Sequence, residues 1–116
     1  MDIYHIWCNL KEDVRDTDFV ERCNAYFAHL EEKEVLSGHR IMRRKLGLGP
    51  PHLHEFHSML EFDGLAHLDR AFDHVASRAE PVEGFHHCVN SLVSNITFAL
   101  YRDFPDRVRR QGEERF

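Results

Sequence analysis

Asp2-Ile3-Tyr4-His5-Ile6-Trp7-Cys8-Asn9-Leu10-Lys11 decides the fold of this chain. Side chains alternate across a strand, so Tyr4, Ile6, Cys8 and Leu10 share one face, and Ile3, His5, Trp7 and Asn9 share the other. No charge falls between Ile3 and Leu10, so neither face is made for water. A strand covered on both faces lies centrally in its sheet. One side is a plain packing face. The other carries an imidazole, an indole and an amide into a semi-enclosed space.

Working outward, Asp13 to Asp18 is polar and turn-like, and Asp16 or Thr17 is placed to cap a helix with Asp18 and Glu21 in its positive first turn. Phe19, Val20, Cys23, Phe27 and Leu30 follow at helical spacing, and Gly38 is the expected stop. His39 to Leu46 is short and basic, which suits an edge strand. Gly47-Leu48-Gly49-Pro50-Pro51 is a loop, because two glycines and two prolines do not continue a sheet. From His54 to Phe62 the alternation returns. Phe56, Ser58, Leu60 and Phe62 take one side; Glu55, His57, Met59 and Glu61 take the other. Leu65, Leu68, Phe72, Val75 and Ala76 make a second amphipathic helix. Pro81 opens a short third one with Phe85, Cys88, Val89 and Leu92 on one side. Asn95 to Arg102 is the last strand, with Ile96, Phe98 and Leu100 opposed to Thr97, Ala99 and Tyr101.

The order β-α-β-β-α-(short α)-β is the split-βαβ or ferredoxin-like plan of the α+β class. Right-handed crossovers put the first and third strands side by side and both main helices on one face of a four-stranded antiparallel sheet. The expectation is a single domain over residues 1–106 with a charged tail over 107–116. The rows Tyr4/Ile6/Cys8/Leu10, Phe56/Leu60/Phe62 and Ile96/Phe98/Leu100 meet the helices. The opposite face bears Ile3, Trp7, Met59 and Tyr101, too much apolar surface for a monomer to leave bare. A two-fold homodimer packing sheet to sheet, with a barrel-like enclosure, is expected.

The formal net charge of -5 argues against nucleic acid as a partner. Ten histidines are many for 116 residues: if all were protonated, the charge would move from -5 to +5 (-5 + 10). Cys8, Cys23 and Cys88 form no C-x-x-C pair and sit in apolar patterns, which points to buried free thiols and a reducing, cytoplasmic setting. No apolar run has the length of a signal peptide or a membrane span, so no membrane partner is expected.

The chemistry-bearing residues on the second face are His5, His57, Glu55 and Tyr101 as a catalytic set, with Trp7, Asn9, Arg43 and Glu61 around a substrate. A neutral imidazole beside a carboxylate acts as a general base, and Tyr101 is placed to donate to a developing oxyanion. Arg40 or Arg43, depending on register, would fork onto a carboxylate. The structural alternative is a polar network satisfying itself at a subunit contact. His5, Glu55 and His57 are also the weak candidates for a transition metal. They supply an N/N/O set but lack an H-x-x-H spacing, so no cofactor is predicted. The loop Arg43–Pro51 lacks the G-K-[ST] ending of a phosphate loop. His86 and His87, adjacent on a helix, point about 100° apart and do not bind one ion together. Cys8 and Ser58 read as small core fillers, and no nucleophile is assigned.

Three segments carry a resemblance: Tyr4-His5-Ile6-Trp7-Cys8-Asn9-Leu10, Arg43-Arg44-Lys45-Leu46-Gly47-Leu48-Gly49-Pro50-Pro51 and Thr97-Phe98-Ala99-Leu100-Tyr101-Arg102-Asp103-Phe104-Pro105. Together they resemble a small family of uncharacterised bacterial proteins, over nearly the whole chain to Asp106. The architecture resembles the dimeric α+β barrel superfamily, which includes stress-responsive proteins, antibiotic-biosynthesis monooxygenases, cyclases and haem-degrading relatives. The resemblance implies a dimer with a cavity between sheet and helices or between sheets, and transfers no catalytic residue.

The functional expectation is a dimer that binds a small aromatic or carboxylate-bearing molecule beside His5, Trp7 and His57, with cofactor-independent proton transfer or oxygenation as its chemistry. A non-catalytic stress-response or interaction dimer is the alternative, and a metal-dependent enzyme the third.

Overall fold

The computed structural model describes residues 1–105; the expected domain end at 106 and the tail 107–116 lie outside them. The elements are β1 (Asp2–Leu10), α1 (Asp16–Glu32), β2 (Gly38–Arg43), β3 (Phe56–Phe62), α2 (Leu65–Ala76), α3 (Val82–Asn90) and β4 (Val93–Arg102). The strands form one antiparallel sheet in the order β2-β3-β1-β4. This is the α+β ferredoxin-like arrangement, with β1 paired along both edges.

The core lies between the sheet and α1. Phe19, Cys23, Phe27 and Leu30 pack on Cys8, Phe56, Leu60 and Phe62, all buried, and Phe19 meets Phe56 edge-on at 5.0 Å. Arg15, rather than Asp16 or Thr17, occupies the N-cap position and makes no side-chain cap. Asp16 is the first helical residue and accepts instead from the Thr17 N–H at 2.7 Å. Gly38 opens β2 rather than ending α1. A side chain there would stand 2.9 Å from the tip of the Glu61 carboxylate, which would have to move aside for it.

The last strand begins two residues earlier than its alternation suggests, and it is bulged. Trp7 pairs with Thr97 but Asn9 pairs with Ser94, so two residues of β4 oppose Cys8 alone. Asn95 takes the left-handed conformation there, φ 56°, which asparagine tolerates well. The extra residue turns Val93 to the helix side, where it is buried, although strict alternation assigns it to the opposite face.

Two expectations about packing need correction. Leu65 and Phe72 of α2 are about half exposed, and α2 buries Ala71 and His67 in their place. Phe98 and Leu100 face the helix side of the sheet, yet both are more than half exposed. Phe72 and Phe98 instead flank Tyr4 edge-on at 5.4 and 5.6 Å. Cys88 is exposed as well, unlike Cys8 and Cys23.

Two polar contacts join distant segments. His67 accepts from the Asp63 N–H at Nδ1 (3.1 Å) and faces the Glu34 carbonyl with Nε2 (3.0 Å). That fixes its Nε2–H tautomer and ties the turn after α1 to the start of α2. Asp2, only 2% exposed, receives a forked contact from Arg102 at 2.6 and 3.2 Å. The two are register partners, so the pair clamps the start of β1 to the end of β4. Asp2→Asn keeps the shape and removes the charge. From the worth of charge-assisted hydrogen bonds it is expected to lower the unfolding free energy by about 2 kcal/mol, read from the urea midpoint; an unchanged midpoint would deny the clamp a structural role.

Candidate functional site

The register sets the outer face of the sheet, away from the helices, in three cross-strand rows: Gly38-Glu61-Ile3-Tyr101, Arg40-Met59-His5-Ala99 and Met42-His57-Trp7-Thr97. At its centre four rings meet. Trp7 and His57 stack at 4.4 Å between centroids, 14° from parallel. His5 stacks beside Trp7 at 5.5 Å, and Tyr101 meets His5 edge-on at 5.0 Å. His5 Nδ1 and His57 Nε2 are 2.9 Å apart, so one ring donates a proton to the other. Burial lowers the pKa of both, and His57 is lowered further by His5. The pair is neutral near pH 7, which is the state a general base requires.

The other candidate residues are placed differently. Asn9 is fully engaged: its Nδ2 reaches His54 Nδ1 at 3.2 Å, and its Oδ1 accepts from the Glu55 N–H at 3.1 Å. It therefore pins the entry to β3. Glu55 precedes that strand, and its carboxylate is held by Arg43 at 2.8 Å rather than turned to His57. Arg43 also binds Asp16 at 2.8 Å and lies over Phe56 at 5.2 Å. Its register partner is Phe56 of the helix side, while Arg40, three residues earlier, shares the face of His5. Glu61 stands over Gly38 at one end of that face. The structure brings together the rings of His5, Trp7, His57 and Tyr101, and sets Glu55 and Arg43, paired with each other, on the wall of the pocket beside Trp7 and His57 rather than in that ring cluster. Without Glu55 the N/N/O set is incomplete. Among the described residues no three His, Cys, Asp or Glu side chains are grouped to hold a metal.

A cavity of about 310 Å³ lies on the helix side, the first of the two places the resemblance implies, although the periodicity of the residues did not point to it. Its walls include Tyr4, Tyr26, Phe27, Phe62 and Phe98, and small side chains, Cys8, Cys23, Ser58 and Ala71, face it from sheet and helices. Small residues at layer-facing positions were the available signal, since they leave volume that larger ones would fill. Burial pushes the Cys8 thiol up to about 11 and the Cys23 thiol up to about 12, so neither is a nucleophile at neutral pH. His86 lines this cavity, whereas His87 is exposed. Another, more open pocket of about 260 Å³ adjoins the outer face, between Trp7, His57, His54, the Arg43–Glu55 pair and the loop at Pro50 and Leu53.

The sheet order, the one-sided helix layer and the cavity beneath it define a ferredoxin-like α+β protein. The chain belongs to the family of unknown function DUF6614, which matches residues 1–116. Solved structures share the fold at low identity. At3g17210 from Arabidopsis thaliana is 10% identical with a TM-score of 0.70, over 89% of this chain and 95% of that one. A variant of SnoaB, described as a cofactor-independent oxygenase from Streptomyces nogalater, is 7% identical with a TM-score of 0.64, over 93% and 98%. A dimeric ferredoxin-like protein of unknown function from a Jannaschia species is 13% identical with a TM-score of 0.64, over 89% and 100%. No curated protein matches the sequence. Among the described residues no helix is long and apolar enough to cross a membrane.

His29, buried at the junction of the three helices, stacks on Phe85 at 5.0 Å and contacts His74 at 3.1 Å. Its pKa is lowered by burial first, then by His74 and Lys33. For His5, His29 and His57 the folded-state pKa lies below the unfolded value. The unfolded chain therefore binds protons first as pH falls, and stability declines from about pH 6.5 downward. Urea unfolding is expected to give a smaller free energy at pH 5 than at pH 7.5. The decline should be shallower in the His5→Gln/His57→Gln double variant; an identical decline would mean the outer pair titrates alike in both states.

Proposed function

We propose that the chain is a homodimeric small-molecule-binding protein whose guest occupies the cavity between sheet and helices. The observation that carries this reading is the roughly 310 Å³ cavity with an almost wholly apolar wall. An engineered apolar cavity of about 150 Å³ holds benzene, so this one has room for a guest of about two rings. The fold likeness to SnoaB supports, by analogy alone, chemistry that needs no prosthetic group. The outer face, with Ile3, Trp7, Met59 and Tyr101, receives the second copy. Neighbours of the same fold described as dimeric support that assembly.

A second reading is favoured by the 2.9 Å contact between His5 and His57. An aromatic or carboxylate-bearing molecule lies in the outer pocket beside Trp7 and His57, and the imidazole pair accepts its proton. Tyr101 donates to the developing oxyanion, and Arg43, which lines that pocket, meets a carboxylate. If the pair only satisfies itself, the same face is a subunit contact with no chemistry.

Naphthalene, titrated into the protein and followed by calorimetry, separates these readings. Val75→Phe, which fills the helix-side cavity, is expected to weaken binding at least tenfold (about 1.4 kcal/mol), while Trp7→Ala leaves it in place and shifts the protein toward monomer in sedimentation. The reverse pattern supports the outer pocket. No saturable binding by the wild type would remove the small-molecule reading.

A further inference from the structure

The helix-side cavity is apolar except for a few groups, and two of those are out of balance. Tyr26 on α1 is 9% exposed and Ser58 on β3 is 5% exposed. Both line the cavity. Neither hydroxyl has a hydrogen-bond partner among the described residues, and neither is among the residues with further contacts. A buried hydroxyl without a partner costs about 1–3 kcal/mol, and native interiors normally satisfy such groups. Two on one cavity are explained by something that enters it.

The charges nearby narrow what that is. No lysine or arginine lines the cavity, so an anion would be buried there without a counter-charge, which is costly. Burial, with the Glu83 carboxylate adding to it, pushes the Tyr26 phenol up to about 12. Tyr26 is therefore a neutral donor, and the same carboxylate repels an anionic guest. His86 stands edge-on to the Tyr26 ring at 5.9 Å, and with Asn90 it gives α3 a polar margin on this side. The remaining lining, Phe27, Phe62, Val89 and Phe98 among it, is hydrocarbon apart from the Tyr4 phenol and the Cys8 and Cys23 thiols.

We infer that the cavity selects a neutral, largely apolar guest of about two rings that bears a carbonyl-type oxygen, with the Tyr26 and Ser58 hydroxyls as its hydrogen-bond donors. This rests on the reading of that cavity as the binding site, and it separates the helix-side guest from the carboxylate-bearing molecule considered for the outer face. Hydrocarbon contact supplies most of the affinity. The two hydroxyls supply the preference, because a guest without an acceptor leaves both unpaired.

Three naphthalenes of similar shape test this in equilibrium dialysis with the full chain: 2-acetonaphthone, 2-ethylnaphthalene and 2-naphthoate. The wild type is expected to bind the ketone and the hydrocarbon, and to bind 2-naphthoate at least tenfold more weakly than the ketone. In Tyr26→Phe, Ser58→Ala and the double variant, the affinity ratio of ketone to hydrocarbon should fall, by about three- to tenfold in the double variant. Retained binding of 2-ethylnaphthalene shows that the cavity keeps its shape in each variant. An unchanged ratio in the double variant, or 2-naphthoate binding as tightly as the ketone, overturns the inference while leaving the cavity as a site. Failure of all three compounds to bind the wild type overturns the cavity reading itself.

Discussion

Everything in this fold depends on β1 being paired along both edges, to β3 on one side and β4 on the other. A central strand with no charge from Ile3 to Leu10 is stable only if both its faces are covered. Alternation then divides the molecule. Tyr4, Ile6 and Cys8 become the floor of the helix-side cavity, and His5 and Trp7 become the centre of the outer face. A slip of one residue would exchange those two sets. Both pairings and the Asp2–Arg102 clamp hold the register against such a slip.

The two faces solve the problem of buried polarity differently. On the outer face the imidazoles of His5 and His57 satisfy one another and stack with Trp7. Such a pair is complete without a ligand: one neutral ring donates its N–H and the other accepts it. On the inner side the Tyr26 and Ser58 hydroxyls lack partners among the described residues, and the space beside them is unfilled. The outer face is thus suited to proton handling or subunit contact, and the inner one to holding a neutral guest.

Much of the fold was legible because its signals are local. Period-two alternation marked β1 and β3, the Phe19/Cys23/Phe27/Leu30 stripe marked α1, and Gly47 to Pro51 marked a loop. The outer-face cluster of His5, Trp7, His57 and Tyr101 followed from the same alternation once β1 and β3 were neighbours. Other features depended on non-local geometry. Glu55 has the right parity to join His57, but Arg43 captures its carboxylate from the adjacent strand. Asn9 has the right face, but its amide is spent on His54 and the Glu55 backbone. Phe72 and Leu100 look like core residues and stand half exposed.

The sequence by itself determined the element order, the sheet plan and which side chains of the central strands share a face, since each follows from spacing along one segment. Only the tertiary structure decided the bulge at Asn95, which returns Val93 to the core, the capture of Glu55 by Arg43, and the size and lining of the cavity. Register between strands sets the first two. The third is empty volume left where Cys8, Cys23, Ser58 and Ala71 face one another across two layers, and no single segment encodes the space between layers.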